Sequence, residues 1–307
     1  SAGKTAFIGL FAKAPRYQGG GSSHINSSSV TGALDACASL SLGVKYAQGY
    51  RTDTDSIDQS LIDEAVRLAR VSASAVIFAG LPDSYESEGY DRVHMRLPEA
   101  QNELIRRVSE AQPNTIVVLH NGSPVEMPWI GGVKAVVEAY LGGQAVGVAV
   151  ARVLFGLANP CGHLAESYPV RLEDTPCALS FPGDGHTAEY REGIFVGYRY
   201  YEKKKMEVLF PFGHGLSYTT FEYSDLTLDR ETMSDDDTVP VSLTVRNTGA
   251  MAGKAVVQLY VADHTGATIR PDKELKNFAK VSLASGEAAR VSMTLGKRAF
   301  AWYSSEL

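Results

Sequence analysis

The sequence has no long hydrophobic run. None of its 307 residues fall in a stretch that approaches the roughly 18 apolar residues of a bilayer-crossing helix, so no membrane span is expected. Cysteine is scarce. Cys37, Cys161 and Cys177 are odd in number, widely spaced and form no CxxC pair. That excludes a disulfide framework or a zinc site and points to free thiols in a reducing, cytoplasmic setting. Basic clusters are lacking apart from Lys203-Lys204-Lys205, read as a solvated turn, and the formal charge is −6. Neither nucleic acid nor an anionic membrane is an expected partner. The histidines, His120, His163 and His214 among them, show no metal-ligand spacing, so no metal is expected. His120-Asn121-Gly122-Ser123 is not a nucleophile elbow, because Gly-x-Ser-x-Gly is absent. Ser1-Ala2-Gly3-Lys4 has no initiator Met and no signal-peptide pattern. The chain is therefore expected to be an internal piece of a longer protein.

What is present is a substantial core, with 44% hydrophobic residues, in a length suited to two domains. The first part alternates strands and helices. Strands are expected over residues 5–9, 44–47 and 75–79, and apolar runs at 115–120 and 134–140 suit strands buried on both faces. Helices are expected over 29–40, 56–71 with Ser56 as N-cap, 98–112 with Pro98 in the first turn, and 144–155 closed by Gly156. This rhythm predicts an α/β fold, a mostly parallel flavodoxin-like αβα sandwich. From about residue 160 the periodicity weakens into a long aromatic connector, with Tyr198, Tyr200 and Tyr201 read as packing residues between domains. After about Phe221 the pattern is all-β, with runs at 239–247, 255–263, 275–283 and 289–295. These predict a fibronectin-III-like antiparallel sandwich. A seven-strand sandwich takes about 100 residues, so the last strand or two are expected to be missing. The expected domains are 1–215 and 216–307.

One loop stands out. Glu86-Ser87-Glu88-Gly89-Tyr90-Asp91-Arg92 places carboxyl groups directly after the apolar strand 75–79, where an open α/β sheet presents groups to a ligand. Taken by spacing alone it is a charged turn, and most such loops are merely solvated. The Gly19–Ser23 stretch could cradle phosphate, but it lacks the Gly-Lys-Ser/Thr ending of a P-loop. Its plainer reading is a turn that brings small side chains near a ligand.

Longer stretches add a resemblance. Leu81-Pro82-Asp83-Ser84-Tyr85 followed by the acidic loop closely resembles the second domain of family 3 glycoside hydrolases, the β-glucosidase type. Arg16-Tyr17-Gln18-Gly19-Gly20-Gly21-Ser22-Ser23-His24 is similar to the first loop of that domain, and residues 118–129, 138–145 and 190–200 also fit. Phe210-Pro211-Phe212-Gly213-His214-Gly215 resembles the entry to the family's fibronectin-III-like domain. The resemblance covers essentially the whole chain in order.

It implies that Glu88, the Glu preceding Gly-Tyr-Asp-Arg, is the general acid/base of a retaining β-glucosidase, with Glu86 the nearby competitor. Such a group protonates the glycosidic oxygen and then deprotonates water. Burial against the sugar and a neighbouring negative nucleophile would raise its pKa. Ser22 is implied to lie near the sugar-binding subsite, His24 to be structural, and Asp91 and Arg92 to form a loop-holding ion pair. The nucleophile is implied to be an Asp on a (β/α)8 barrel that this chain lacks, supplied in cis or from another chain. The expected ligand is a β-glucoside or β-linked oligosaccharide, and no cofactor is implied. Two other readings stay open at this point. One is a non-catalytic carbohydrate-binding or assembly module, whose exposed strands could support a homo-oligomer. The other is a nucleotide-binding α/β domain.

Overall fold

The computed structural model describes residues 4–303. Two compact units divide the chain, one holding residues up to 158 with 170–172, the other 159–169 and 173 onward.

The first unit runs β1 (Thr5–Ile8), α1 (Ala33–Ser39), β2 (Val44–Ala47), α2 (Gln59–Arg70), β3 (Ser74–Gly80), α3 (Glu99–Ala111), β4 (Thr115–His120), β5 (Ala135–Glu138) and α4 (Val146–Leu154). The five strands pair in parallel in the order β2-β1-β3-β4-β5, as the βα alternation predicts. The central strands are near-continuous apolar runs because both their faces are covered, and Ala6, Phe7, Ile8, Ile77, Phe78 and Leu119 are fully buried. β5 departs from the expectation of burial on both faces. It ends the sheet, pairing only with β4, and its residues are exposed or half-buried. Tyr50 ties the centre together. Its hydroxyl donates to the Phe78 carbonyl at 2.9 Å and accepts from the Phe11 N–H at 3.3 Å.

Helix ends show where side-chain chemistry decides. α2 is capped by Asp58, not Ser56, because the Asp58 carboxylate accepts from the N–H groups of Ser60 and Leu61. Ser56 instead accepts from the Thr54 hydroxyl in the preceding turn. Pro98 stands at the cap of α3 in extended conformation, one position before the first turn. α1 starts four residues later than expected, at Ala33 after Gly32. α4 ends at Leu154, and Gly156 closes it at φ 68°.

The second unit holds α5 (Tyr198–Lys204) and the strands β6 (Phe221–Leu228), β7 (Thr238–Asn247), β8 (Gly253–Val261), β9 (Glu274–Leu283) and β10 (Ala288–Gly296). They form two antiparallel sheets, β10-β7-β6 and β8-β9. Inward residues alternate along β7, and the core gathers Leu243, Val245, Ala255, Val257, Leu283, Val291 and Met293. Tyr198 packs inside this unit, its ring 4.9 Å from Phe212 and its hydroxyl accepting from the Leu275 N–H at 2.8 Å. Cys37, Cys161 and Cys177 are all free thiols. Among the described residues no helix is long and apolar enough to cross a membrane.

Candidate active site

In a parallel sheet of order 2-1-3-4-5 the strand order reverses between β1 and β3, and the crevice beyond the carboxyl ends of those strands is where such folds bind ligands. The Gly-rich loop leaves β1 and the acidic loop leaves β3, so topology alone brings both to this crevice. The loop after β4, Asn121-Gly122-Ser123, joins them there.

Glu86 and Glu88 are two residues apart in sequence and have opposite surroundings. The Glu86 side chain is 18% exposed. Its carboxylate accepts from the Arg16 guanidinium at 2.6 Å, from the Gly122 N–H at 2.7 Å and from the Ser123 hydroxyl. Burial works to raise its pKa, but the donors from Ser123, Gly122 and Arg16 and the Arg16 charge outweigh burial and hold the carboxyl below its ordinary value. Arg16, only 5% exposed, also donates to the Leu81 carbonyl at 2.9 Å, the Glu86 carbonyl at 2.7 Å and the Asp83 carboxylate at 3.0 Å. One guanidinium thus gathers three residues, Leu81, Asp83 and Glu86, of the segment that follows β3.

Glu88 is exposed. Its Oε2 accepts from the Ser22 N–H at 2.6 Å and from the Ser22 hydroxyl. Those two donors, the hydroxyl first, lower its pKa. Ser22 sits in the 3-10 turn Gly21–Ser23. The approach requires glycine before it. Gly21 lies at φ +76°, and a Cβ there would meet the Glu88 Cβ at 2.4 Å and Oε2 at 2.6 Å. The N–H that a phosphate-cradling loop would offer an anion is therefore engaged by the protein's own carboxylate, which argues against the nucleotide reading.

The structure thus brings the two singled-out residues, Glu88 and Ser22, into direct contact. His24 Nδ1 lies 3.0 Å from the Gln18 amide, in keeping with a loop-holding role. The partners seen for Arg92 are the Ser123 hydroxyl at 2.6 Å and the Pro124 carbonyl at 3.2 Å, so Arg92 fastens the acidic loop to the β4 loop. Sequence reasoning assigned no role to Arg16, Gly122 or Ser123. Arg16 stands 70 positions from Glu86, and no spacing rule links them. Among the described residues no three His, Cys, Asp or Glu side chains are grouped to hold a metal ion.

The chain thus joins a parallel α/β sheet, with a carboxylate at its switch point, to an antiparallel β unit, and comparison with known proteins specifies the class. The glycosyl hydrolase family 3 C-terminal domain matches residues 1–218, and the fibronectin type III-like domain matches residues 255–307. The chain belongs to glycosyl hydrolase family 3. It is 55% identical to thermostable beta-glucosidase B of Acetivibrio thermocellus over 99% of its length, spanning 41% of that protein. It is 41% identical to an exo-alpha-(1->6)-L-arabinopyranosidase of Bifidobacterium breve, spanning 99% of this chain and 40% of that one. The crystal structure of a Bifidobacterium adolescentis GH3 beta-glucosidase superimposes with a TM-score of 0.94 at 42% identity, over 99% of this chain and 44% of the other. The chain thus spans about two fifths of the length of these relatives.

Proposed function

We propose that this chain supplies the general acid/base, Glu88, to a retaining β-glucosidase whose nucleophilic Asp lies on a (β/α)8 barrel outside the chain. The observation that carries the reading is the contrast within the acidic loop: Glu86 is locked by Arg16, Gly122 and Ser123, while Glu88 is exposed at the switch point and held only by Ser22. A retaining glycosidase needs two carboxyl groups about 5–5.5 Å apart, and the span of two fifths of the relatives supports a partner domain that brings the second. As it stands here the Glu88 carboxyl is ionised at neutral pH, its pKa lowered by Ser22. A bound sugar and a facing aspartate would desolvate it and oppose its charge, both raising its pKa toward that of a working acid. Ser22 then lies beside the reacting oxygen, in a sugar subsite shared with Glu88. The chemistry is proton transfer and acetal exchange.

The substrate proposed first is a terminal β-linked glucosyl residue. The arabinopyranosidase relative makes an α-L-arabinopyranoside the second glycone to assay. The proposed domain layout divides the chain near residue 215, which the family matches support. Packing groups residues 159–169 and 173 onward with the β-rich unit, so the connector goes with the first domain by sequence and with the second by contacts. The free thiols accord with a cytoplasmic setting.

The test is Glu88→Ala in the complete enzyme, barrel included. The expected result is a loss of about 10²–10⁴-fold in kcat/KM on cellobiose, whose leaving group needs protonation. A dinitrophenyl β-glucoside should retain most of its kcat/KM, and azide should restore turnover by replacing the water that Glu88 no longer activates. Unchanged hydrolysis of cellobiose would refute the assignment.

A further inference from the structure

We infer that Glu86 is a positioning residue for this site: its carboxylate, gripped by Arg16, Gly122 and Ser123, fixes the loop that holds Glu88 against Ser22. The inference rests on the reading of Glu88 as acid/base.

The geometry is that of a three-loop clasp. Arg16 comes from the loop after β1, Glu86 from the loop after β3, and Gly122 and Ser123 from the loop after β4. The Glu86 side chain bonds both of the other loops. Its Oε2 takes Arg16 and Gly122, and its Oε1 takes Ser123. Gly122 admits the close approach, since a Cβ there would stand 3.0 Å from the Glu86 Oε2. From this anchor the chain runs one residue, Ser87, to Glu88. Beyond Glu88 comes Gly89 at φ +97°, with open space around its Cβ position. Glu88 is therefore tethered one residue away on the Glu86 side, and on the other side across the open Gly89 turn by Tyr90, which donates to the Asp83 carbonyl, and by Arg92, which donates to Ser123. The Glu86 anchor is the nearer of the two in sequence, so it sets most directly where the Glu88 carboxylate meets Ser22. Ser22 belongs to the loop that begins with Arg16, so the same arginine governs both halves of the Ser22–Glu88 contact.

A clasp of this kind predicts a selective kinetic defect. Glu86→Gln keeps the shape and most of the hydrogen bonds but removes the charge that pairs with Arg16. A displacement of about 1 Å at a catalytic group can cost around 10²-fold in rate. In the complete enzyme, Glu86→Gln should lower kcat/KM on cellobiose about 10- to 100-fold. On a dinitrophenyl β-glucoside, which needs no acid in the first step, the loss should be less than about threefold, with the melting temperature within a few degrees of the parent. Ser123→Ala, which removes one donor to Glu86 together with the hydroxyl that accepts from Arg92, leaves the Arg16 and Gly122 bonds to Glu86 and should show the same selectivity in milder form. It carries the test if Glu86→Gln fails to fold.

The outcomes separate the two levels of the reading. A selective loss in Glu86→Gln or Ser123→Ala, beside the stronger selective loss and azide rescue in Glu88→Ala, supports the clasp. Equal losses on both substrates, tracking a fall in melting temperature, overturn it in favour of a merely structural ion pair. Parent-like kinetics in the Glu86 and Ser123 variants, with Glu88→Ala still crippled, overturn the clasp and leave the acid/base assignment standing. Azide rescue of Glu86→Ala with Glu88→Ala unaffected overturns both, because Glu86 would then be the acid/base itself.

Discussion

Acid should destabilise this protein through His120 before it protonates the buried carboxylate of Glu86. His120 ends β4 and is 1% exposed. Its ring lies 5.9 Å from that of Phe11 and 6.3 Å from that of Phe78. Burial in these surroundings pushes its pKa from 6.5 down to about 4, against a smaller opposing effect of the Arg16 backbone. The unfolded chain binds that proton with the ordinary affinity. The folded pKa is therefore the lower of the two, and the unfolded state takes up the proton first as pH falls. Stability is complete above about pH 6.5 and declines as the pH approaches 4. At about 1.36 kcal/mol per pKa unit, the loss integrates to about 2 kcal/mol at pH 5 and about 3 kcal/mol at pH 4. That is a large share of the roughly 5–15 kcal/mol that holds a typical domain folded.

The carboxylates act in a different window. Glu86 has a folded pKa below its ordinary 4.5, so its contribution is present above that value and is lost only as the pH falls through the depressed one. The range from about pH 6.5 to 5 thus isolates histidines. His163, also lowered by burial, contributes with the same sign, and a comparison of variants removes its share. His120→Phe keeps an aromatic ring beside Phe11 and Phe78 but cannot take up a proton. Urea midpoints by circular dichroism between about pH 7.5 and 5 should fall less steeply for the variant, the two curves diverging by about 2 kcal/mol at the acid end. Parallel curves would refute the account of His120 as a buried neutral base.

Two further substitutions probe the geometry elsewhere. Gly21→Ala forces a side chain into the positive-φ turn and against the Glu88 carboxylate; kcat/KM on cellobiose should drop about 10-fold or more in the complete enzyme, and parent-like kinetics would mean that the Gly21–Glu88 contact is not used in turnover. Asn247, fully buried, donates to the carbonyls of Met251 and Leu283 at 2.8 and 3.2 Å and accepts from the Thr219 hydroxyl at 2.6 Å and the Gly249 N–H at 3.1 Å. Asn247→Ala strands these groups and should cost about 3 kcal/mol or more in urea unfolding of the β-rich unit; a cost under about 1 kcal/mol would mean that water replaces the side chain.

Some of this was legible in the sequence and some was not, and the division follows the physics. Strands β1, β3 and β4 are continuous apolar runs because helices cover them, and burial writes itself directly into composition. β6 escaped notice because it is an edge strand whose residues are mostly exposed, with a bulge between Ser224 and Thr227. α5 is a seven-residue helix of tyrosines, arginine and lysines, set by Gly197 and the left-handed Lys205 and held by the single buried Tyr201, so it shows no apolar stripe. The acidic loop could be found by its position after β3, but its two glutamates could not be told apart by spacing. Their difference is made by Arg16 and Ser22, which lie 70 and 66 residues away and arrive only when β1 and β3 pair.

That pairing supports the proposed choice of one carboxylate over its neighbour for a proton-cycling role. An acid/base must gain and lose a proton in every turnover. At Glu86 the partners include a guanidinium and a backbone N–H, which can donate but never accept. Protonating that carboxyl would set its O–H against donors and leave the buried Arg16 with the exposed Asp83 carboxylate as its remaining counter-charge, a loss of the better-buried half of its pairing. At Glu88 the side-chain partner is a hydroxyl, which donates to the carboxylate and can turn to accept from the carboxylic acid. Only the Ser22 N–H contact is weakened on protonation, and exposure lets solvent or substrate make up the difference. On the proposed reading, the same loop holds one carboxylate whose charge keeps the loop in place and another that can change charge with little loss of contact.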